Sequence, residues 1–329
     1  MRLMRRRDRG PAAPAAVRPA SVRGGLPAEV VLVVSPHAGG STGLGAAREE
    51  MRRAGLGVAG EVQIQDIGRL PALIRTTDGG PRLVVAAGGD GTVGAVADCL
   101  AESESVLGIL PLGTSNDFAR SLGIPVDPRR AAALLTQGKV ADVDLGRLVS
   151  PGQLTRHFVH AATVGLNVSF AKLATRASVR AHLGRLTYLA AAGNAFRALP
   201  SFECELRHDG RTERLTLTQL SVINAPVFGG TLGLSVQGSN PDDRLLDVLA
   251  IEHVPVRRLA LIAVFLLLRV KRQPAGVRTF HVRDLHVHTG QPLEVALDGE
   301  IAGALPADFE VAGEALRVIT PLSFEDIND

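Results

Sequence analysis

The first half of the chain alternates short apolar runs with longer segments of mixed polarity. Three continuous runs rich in valine, leucine and alanine each precede a glycine-containing turn, and they cover residues 30–34, 82–87 and 106–110. Continuous apolar runs of this kind are typical of strands buried on both faces. A helix is predicted after each turn, the first from about 44 to 54 and the second ending near Leu100. This order of strand, turn and helix predicts a Rossmann-like, three-layer α/β domain with a parallel sheet.

The second half is dominated by segments of alternating polarity. Strands are predicted at 141–149, 156–162, 202–207, 214–224, 232–236 and 245–253. Helices interrupt them at about 168–179, 183–198 and 256–270. This pattern predicts a β-rich, sandwich-like second domain that is mainly antiparallel. Two late strands are predicted at 293–297 and 315–320, and their position near the end of the chain allows them to pair with the first domain.

These patterns divide the chain into a tail and two domains. The tail covers residues 1–25, the α/β domain 26–140, completed by 306–329, and the β-rich domain 141–305. A length of 329 residues agrees with two domains of about 100–200 residues each. At 46% hydrophobic and 21% charged residues the chain is able to bury sizeable cores, which excludes wholesale disorder.

The positive charge of the chain is concentrated at its N-terminus. The formal net charge is +3, but residues 1–25 contain seven arginines and one acid, Asp8, and therefore carry +6, which leaves −3 on the remainder. The composition of this tail predicts disorder, either as a solvated extension or as an electrostatic tether to anionic lipid. With no Trp, one Tyr and ten Phe, a nucleic-acid-binding surface based on stacking of aromatic side chains is not expected.

Cysteine content and hydropathy predict a cytoplasmic location. Cys99 and Cys204 are too few for a disulfide framework or a cysteine-based zinc site. No run of 18 apolar residues is present, so no transmembrane span is expected. Basic residues at 257–258 and 269–272 flank a ten-residue apolar stretch, residues 259–268. This stretch is either a helix at an anionic membrane surface, giving a peripheral protein of the inner membrane, or a buried helix with solvated ends.

The turns after the three apolar runs carry the candidate chemistry. Each combines glycine with Ser, Thr, Asn or Asp, as in Gly88-Gly89-Asp90-Gly91-Thr92. Ligands bind at the carboxyl ends of parallel strands, and glycines let backbone amides approach a phosphate closely. Neither the dinucleotide fingerprint nor the P-loop motif occurs. Taken alone, this turn is also compatible with a purely structural turn whose helix is capped by Asp90 or Thr92.

This turn is one of five sequence motifs that together resemble those of a known protein family, in the same order along the chain. Gly88–Thr92 is followed by Leu-Pro-Leu-Gly-Thr-Ser-Asn-Asp-Phe-Ala-Arg at 110–120, and together they resemble the catalytic-domain signature of the diacylglycerol kinase family. That family includes bacterial lipid kinases and the sphingosine and ceramide kinases. Ser-Pro-His-Ala-Gly at 35–39 is similar to its opening motif. Phe-Gly-Gly at 228–230 with the segment 240–247, and Leu-Asp-Gly-Glu at 297–300, are similar to its later motifs.

The resemblance implies an enzyme of lipid and phospholipid metabolism. It would use ATP and Mg²⁺ to phosphorylate a hydroxyl of diacylglycerol, a sphingoid base or another glycerolipid. No nucleic-acid partner is expected, because of the low aromatic content. The residues implied to bind nucleotide are Ser35, Gly39, Gly40, Gly88, Gly89, Gly91, Thr92, Gly113, Thr114 and Asn116.

Four carboxylates receive implied roles from the same resemblance. Asp90 falls where a carboxylate joins a Mg²⁺–water network near the transferred phosphate, and Asp117 belongs to the same polar network or caps a helix. Asp298 occupies the position of the base that takes the lipid hydroxyl proton, and Glu300 lies beside it on the nucleotide or metal. The matching positions for a structural Mg²⁺ site are Asn240, Asp243 and Leu245, although a turn between strands explains Asp243 equally well.

Three positions depart from the family pattern. Ser35 replaces an Asn, Gly94-Ala95 replaces Asn-Glu, and Arg244 replaces a Gly. The loss of two polar side chains at Gly94 and Ala95 motivates an alternative, a member that binds nucleotide or lipid without turnover. A second alternative is an NAD kinase-like enzyme, which shares a Gly-Gly-Asp-Gly loop, although the 110–120 motif argues against it. A homodimer is a further hypothesis.

Overall fold

The computed structural model describes residues 28–36, 40–74, 81–165, 201–224, 227–228, 234–235, 244–255, 258 and 275–324. The tail 1–25 and the helices predicted at 168–179 and 183–198 lie outside these residues, as does almost all of the helix predicted at 256–270. No helix in the described ranges is both long enough and apolar enough to cross a membrane.

The N-terminal half is built from four parallel strands and the helices that connect them. Its elements are β1 (Glu29–Val34), α1 (Gly40–Arg53), β2 (Gly57–Gln63), a 3-10 turn (Ile64–Arg69), α2 (Leu70–Ile74), β3 (Leu83–Gly88), α3 (Asp90–Leu100), β4 (Val106–Pro111), α4 (Asp117–Ser121) and α5 (Pro128–Gln137). The strands pair in the order β2-β1-β3-β4, and every one of these pairs is parallel. The prediction of a parallel α/β domain is confirmed.

The C-terminal half is mainly antiparallel. Its strands are β5 (Lys139–Val149), β6 (Arg156–Phe158), β7 (Ala161–Gly165), β8 (Phe202–His208), β9 (Arg211–Ile223), β10 (Val227–Phe228), β11 (Leu234–Ser235), β12 (Leu246–Glu252), β13 (Val277–Val282), β14 (Asp284–Thr289), β15 (Leu293–Leu297), β16 (Glu300–Leu305) and β17 (Ala307–Thr320). β9 pairs with β7, β8 and β12, and all three pairs are antiparallel. This half has the β-rich, sandwich-like character that the sequence predicts.

The single strand predicted at 156–162 is wrong, because the chain forms two strands there. β6 pairs with β5, whereas β7 pairs with β9 and β15. Between them, the amides of Val159 and His160 donate to the side chain of Asp298 instead of to a neighbouring strand. A carboxylate thus takes the place of a strand partner at the break.

The last long strand joins the two halves. β17 pairs in parallel with β4 through Arg317 and Val318, and antiparallel with both β5 and β14. The pairing with β5 contains a bulge between Ala312 and Leu316. Through β17 the described strands other than β10 and β11 form one mixed sheet. The domain boundaries at residues 140 and 305 stay predictions.

Two hydrophobic cores lie in different parts of this sheet. The first packs β1, β3 and β4 against α3 and α5, with Leu32, Val84 and Leu110 fully buried. The second packs β7, β9, β12 and β14 around Leu217 and Val248. The turns at the end of β3 and at the start of β16 come together where these two parts meet, and the candidate site is found there.

Candidate active site

The turns after β3 and β4 touch each other through their backbones. A side-chain Cβ at Gly113 would lie 2.4 Å from the Cα of Gly89, and one at Gly88 would lie 2.3 Å from Oγ1 of Thr92. Positions 88 and 113 therefore need glycine for steric reasons. The close approach brings the amides of two neighbouring loops to one edge of the parallel sheet, which is the arrangement suited to a phosphate.

Helix α3 begins within the first of these turns without a side-chain cap. Gly89, with extended backbone, is its N-cap, and Asp90 and Thr92 are already helical, with no capping side-chain hydrogen bond among the described residues. The alternative in which Asp90 or Thr92 caps this helix is therefore wrong. The side chain of Thr92 packs over Gly88 instead. The first backbone amides of α3 have no partner within the helix, and they favour an anion at this end.

Asn116 shapes the turn after β4. Its backbone is left-handed, at φ 50°, and its side chain accepts from the Gly113 amide at 2.9 Å and donates to the Gly113 carbonyl at 2.9 Å. Asn116 occupies the N-cap position of α4, and Asp117 is the first helical residue. The alternative in which Asp117 caps the helix is therefore wrong. Asn116 acts by holding the turn rather than by projecting into open space.

Asp90 points from α3 toward the turn that leads into α4 and toward the second half of the protein. Its Oδ1 accepts from the Phe118 amide at 3.3 Å and lies 3.5 Å from Nε2 of His160. Burial raises the pKa of Asp90, but its interactions with His160 and with the amides of Phe118 and Asp117 outweigh burial and hold the pKa below its ordinary value. Asp90 is therefore an anion at neutral pH.

His160 connects the two halves of the site. It is buried, its ring meets the ring of Phe118 edge-on at 5.8 Å, and its amide donates to Oδ1 of Asp298 at 2.8 Å. Burial lowers the pKa of His160, but Asp90, Asp298 and Asp117 together raise it above its ordinary value. Sequence reasoning missed this residue, because its partners are distant in the chain and no spacing motif marks it.

The turn between β15 and β16 supplies the remaining carboxylates. Asp298, at φ 49°, accepts hydrogen bonds from the amides of Val159, His160 and Ala161 at 2.8, 2.8 and 3.1 Å. A Cβ at Gly94 would lie 2.8 Å from Oδ2 of Asp298, so the absence of a side chain on α3 makes room for this carboxylate.

The other carboxylate of this turn faces the beginning of α3. Oε1 of Glu300 lies 3.5 Å from where a Cβ of Gly91 would be. Asp90 therefore converges with Asp298 and Glu300, which follow it by about two hundred residues in the sequence, on the first turns of one helix.

A polar cleft runs between α3 and this turn. It is lined by Gly91, Gly94, Ala95, Asp98, Arg156, His157, Leu297, Asp298, Glu300 and Ala302. Asp98, Arg156 and His157 had not been expected from the sequence. They are contributed by the exposed side of α3 and by a three-residue strand, neither of which carries a recognisable motif.

The remaining nucleotide-binding candidates lie at the same end of the parallel sheet where they are described. The Ser35 amide, directly after β1, donates to the Ala87 carbonyl at 3.1 Å. Gly40 opens α1 and Thr114 is exposed after β4, whereas Gly39 lies outside the described residues. Since β1, β3 and β4 are neighbours, their three turns share one edge.

The predicted structural magnesium site is only partly covered. Asn240 and Asp243 lie outside the described residues, and Leu245 is a half-buried residue just before β12. Arg244, which replaces a family glycine, has a left-handed backbone at φ 57°, and its Nη2 donates to Oε1 of Glu314 at 2.9 Å. The backbone at position 244 thus has the conformation that favours glycine.

The carboxylates near α3 suit a nucleotide-borne Mg²⁺ better than an all-protein metal cage. Within the described ranges, no three His, Cys, Asp or Glu side chains are grouped to hold a metal ion. Mg²⁺ commonly takes one or two carboxylates and completes its shell with phosphate oxygens and water. Asp90, ionised and with a side chain 24% exposed, fits that requirement as a single ligand.

Comparison with known proteins finds two family models along the chain. The model described as "Diacylglycerol kinase catalytic domain" matches residues 29–148, and the model described as "YegS C-terminal NAD kinase beta sandwich-like domain" matches residues 161–320. The two matches follow the order of the α/β and β-rich halves.

Similar proteins and structures agree with these models. A "Probable lipid kinase YegS-like" protein of Pseudomonas aeruginosa is 32% identical over 299 residues, covering 89% of this chain and 94% of that protein. A "Diacylglycerol kinase" of Bacillus subtilis is 27% identical over 252 residues, covering 73% and 78%. The crystal structure of a putative diacylglycerol kinase from Bacillus anthracis matches with a TM-score of 0.69 at 23% identity, covering 90% and 96%, which shows the shared fold.

Proposed function

Because this chain belongs to the diacylglycerol kinase catalytic-domain family of lipid kinases, we propose that it transfers the γ-phosphate of ATP to a hydroxyl of diacylglycerol or a closely related lipid. The observation that carries the proposal is the convergence of Asp90, Asp298 and Glu300 beside the two touching glycine turns. Phosphoryl transfer depends on positioning and on charge stabilisation more than on covalent chemistry, and this arrangement provides groups for both.

The glycine turns are the proposed binding site for the nucleotide phosphates. The backbone contact of Gly89 with Gly113 leaves no side chain between the two turns. The first turn of α3 adds amides that favour negative charge. Ser35, Gly91, Thr92 and the turn held by Asn116 border the same region, and Gly39, Gly40 and Thr114 are proposed to extend it.

Asp90 is the proposed protein ligand of the Mg²⁺ that accompanies ATP. When bound, the ion would neutralise charge on the phosphate oxygens. His160 and the Phe118 amide hold the Asp90 side chain in one orientation, and Asp117 adds negative charge around His160. This arrangement fixes a carboxylate at the beginning of α3.

The proton acceptor for the lipid hydroxyl is one of two carboxylates. The family resemblance implies Asp298, but both of its oxygens already accept backbone N–H groups. The Glu300 carboxylate borders the cleft and makes no hydrogen bond with any described residue. These contacts favour Glu300 as the acceptor, with Asp298 fixing the turn, and Asp298 as the acceptor is the alternative.

The lipid must reach this site from a membrane. The basic residues at 257–258 and 269–272 are proposed to contact anionic headgroups of the inner membrane surface; most of this segment lies outside the described residues. Co-sedimentation with vesicles that ignores both anionic lipid and salt would contradict it. A cytoplasmic, peripheral location and a homodimer remain proposals.

A panel of acceptors tests the function and separates its alternatives. Purified protein is incubated with labelled ATP, Mg²⁺ and, in parallel, diacylglycerol, a sphingoid base, ceramide and NAD. We expect labelled phospholipid from diacylglycerol or a related lipid. Binding of ATP without any labelled product would favour the member without turnover that Gly94 and Ala95 suggest, and labelled NADP would favour the NAD kinase-like alternative.

A further inference from the structure

Arg156 is a partly exposed cation that lines the cleft, and nothing in the family motifs accounts for it. It opens β6, and its Nε donates to Oδ2 of Asp98 on α3 at 2.7 Å. The next amide, that of His157, donates to the other oxygen of Asp98 at 2.6 Å. Asp98 therefore accepts hydrogen bonds from both the side chain of Arg156 and the backbone amide beside it.

The carboxylate in this pair is buried more deeply than the guanidinium. The side chain of Asp98 is 16% exposed, whereas that of Arg156 is 41% exposed. Burial raises the pKa of Asp98, but its contacts with His157 and Arg156 more than offset this and hold the pKa below its ordinary value. Arg156 is thus anchored on an anion at one side while much of its surface stays accessible.

The guanidinium retains unused donors. A guanidinium has five N–H donors, and Nε uses one of them on Asp98. Neither Nη atom of Arg156 makes a hydrogen bond with a described residue. Toward the described part of the chain, four donors therefore remain unused, in the planar arrangement that binds phosphate through two oxygens at once.

Arg156 lies in a cleft that contains several negatively charged side chains. The cleft that it lines also contains the carboxylates of Asp98, Asp298 and Glu300. A substrate with phosphate groups would be repelled by this set unless a cation faces it. The Asp298 carboxylate occupies the space beside Gly94, so this negative charge lies in the same cleft as Arg156.

We propose that Arg156, oriented by Asp98, binds a phosphate anion at the entrance of the cleft. This inference rests on the proposed function, since it places Arg156 beside the site of phosphoryl transfer. Two sources supply the same chemistry, namely the terminal phosphates of ATP and the phosphate headgroup of a membrane lipid. In either case Arg156 is a binding residue and does not take part in proton transfer.

The test compares Arg156→Gln with Arg48→Gln as a matched control. Arg48 is also 41% exposed and also forms a 2.7 Å ion pair, with Glu61, but it does not line the cleft. Calorimetry measures the Kd of ATP with Mg²⁺ and of adenosine, which has no phosphate. Co-sedimentation measures binding to phosphatidylcholine vesicles with and without phosphatidic acid. Circular dichroism checks the fold of each variant.

The expected result is a loss of at least about tenfold in affinity for one phosphate-bearing ligand. Weaker ATP binding with unchanged adenosine binding identifies the nucleotide as the source, and loss of the preference for phosphatidic acid identifies the lipid. Unchanged affinity for both, or equal losses in Arg48→Gln, overturns the proposal. So does a wild-type protein that binds ATP no better than adenosine and binds vesicles with phosphatidic acid no better than vesicles without it.

Two further comparisons keep the proposal separable from folding and from the proposed function. If Arg156→Gln does not fold, Arg156→Met, which keeps an unbranched side chain and removes the charge, is measured in its place, and affinities for both ligands within twofold of wild type then overturn the proposal. Binding is measured without turnover. A wild-type protein that binds ATP through Arg156 but phosphorylates no lipid would refute the proposed function and leave the role of Arg156 intact.

Discussion

At the scale of single residues, the position of the Asp298 side chain and the absence of a side chain at Gly94 depend on each other. The Asp298 carboxylate occupies the space where a side chain of residue 94 would be, and three backbone amides hold it there. A departure from the family sequence that looks like the loss of a polar group is therefore also a steric requirement of this chain. An Asn at position 94 would not fit against Asp298 in its present position.

Replacement of Gly94 by Ala tests this steric coupling. In an open helix this change adds about 1 kcal/mol of stability, but a contact of 2.8 Å with Asp298 reverses the sign. We expect the free energy of unfolding to fall by about 1–3 kcal/mol in urea titrations. Gly45→Ala in α1, where a Cβ meets nothing within 4 Å, is the control and should not lose stability. Equal stability of both variants would contradict the coupling.

The two carboxylates of the Asp298–Glu300 turn are separated by paired substitutions. Glu300→Gln is expected to lower kcat for lipid phosphorylation at least about a hundredfold with unchanged stability, as for loss of a general base. Asp298→Asn is expected to lower both kcat and the free energy of unfolding, because three amides lose a charged acceptor. Near-normal turnover in Glu300→Gln, together with a hundredfold loss in Asp298→Asn, would return the base to Asp298.

His160 should make the stability of the metal-free protein depend on pH. Its pKa in the folded protein is raised above the ordinary 6.5. The stabilisation that it gives is therefore complete below pH 6.5 and is lost as the pH rises through the folded-state pKa. We expect the difference in unfolding free energy between wild type and His160→Gln to be larger at pH 6 than at pH 9. A difference that is the same at both values would show that His160 is not held as a cation.

At the scale of elements, the same sequence patterns succeed or fail for physical reasons. β1, β3 and β4 were predictable because burial on both faces makes them continuously apolar. β2 was missed because most of its side chains are exposed and it contains two glycines. The turns that carry glycine and Asp were predictable from their motifs.

The contacts across the site were not predictable in the same way. The break between β6 and β7 depends on a carboxylate that is more than 130 residues away in the sequence. Likewise, no local pattern links His160 to Asp90, or Arg156 to Asp98. These pairs form because folding brings residues that are distant in the sequence close together, and a single sequence contains no local signal for such contacts.

Arg244 gives a test at the level of one turn. It has a left-handed backbone, φ 57°, which costs a residue with a Cβ about 1 kcal/mol. Its ion pair with Glu314 is about half exposed and therefore contributes little. We expect Arg244→Gly to be more stable than Arg244→Ala by about 1 kcal/mol, since both lose the ion pair and only Gly relieves the backbone. Equal unfolding free energies of the two variants would contradict this account.

At the scale of the whole molecule, the two halves are connected by strand β17 and by side-chain contacts at the candidate site. β17 pairs with β4 of the parallel sheet and with β5 and β14 of the antiparallel part. The Asp298 side chain and His160 join the same two parts at the candidate site. Most of the excess positive charge of the sequence lies in the N-terminal tail, which is outside the described residues. Within the described residues, Arg156 is a local cation beside the candidate site. Each half supplies carboxylates to the same place, and the proposed phosphoryl transfer depends on this arrangement.

The most direct test of the central claim is transfer of the labelled γ-phosphate of ATP to diacylglycerol in mixed micelles with Mg²⁺. Asp90→Asn serves as the comparison, because it keeps the shape of the side chain and removes its charge. The account predicts labelled phosphatidic acid with the wild-type protein and a loss of at least about a hundredfold with Asp90→Asn at unchanged secondary structure. Equal turnover of the two proteins, or no labelled lipid with the wild type on diacylglycerol or any related acceptor, would contradict it.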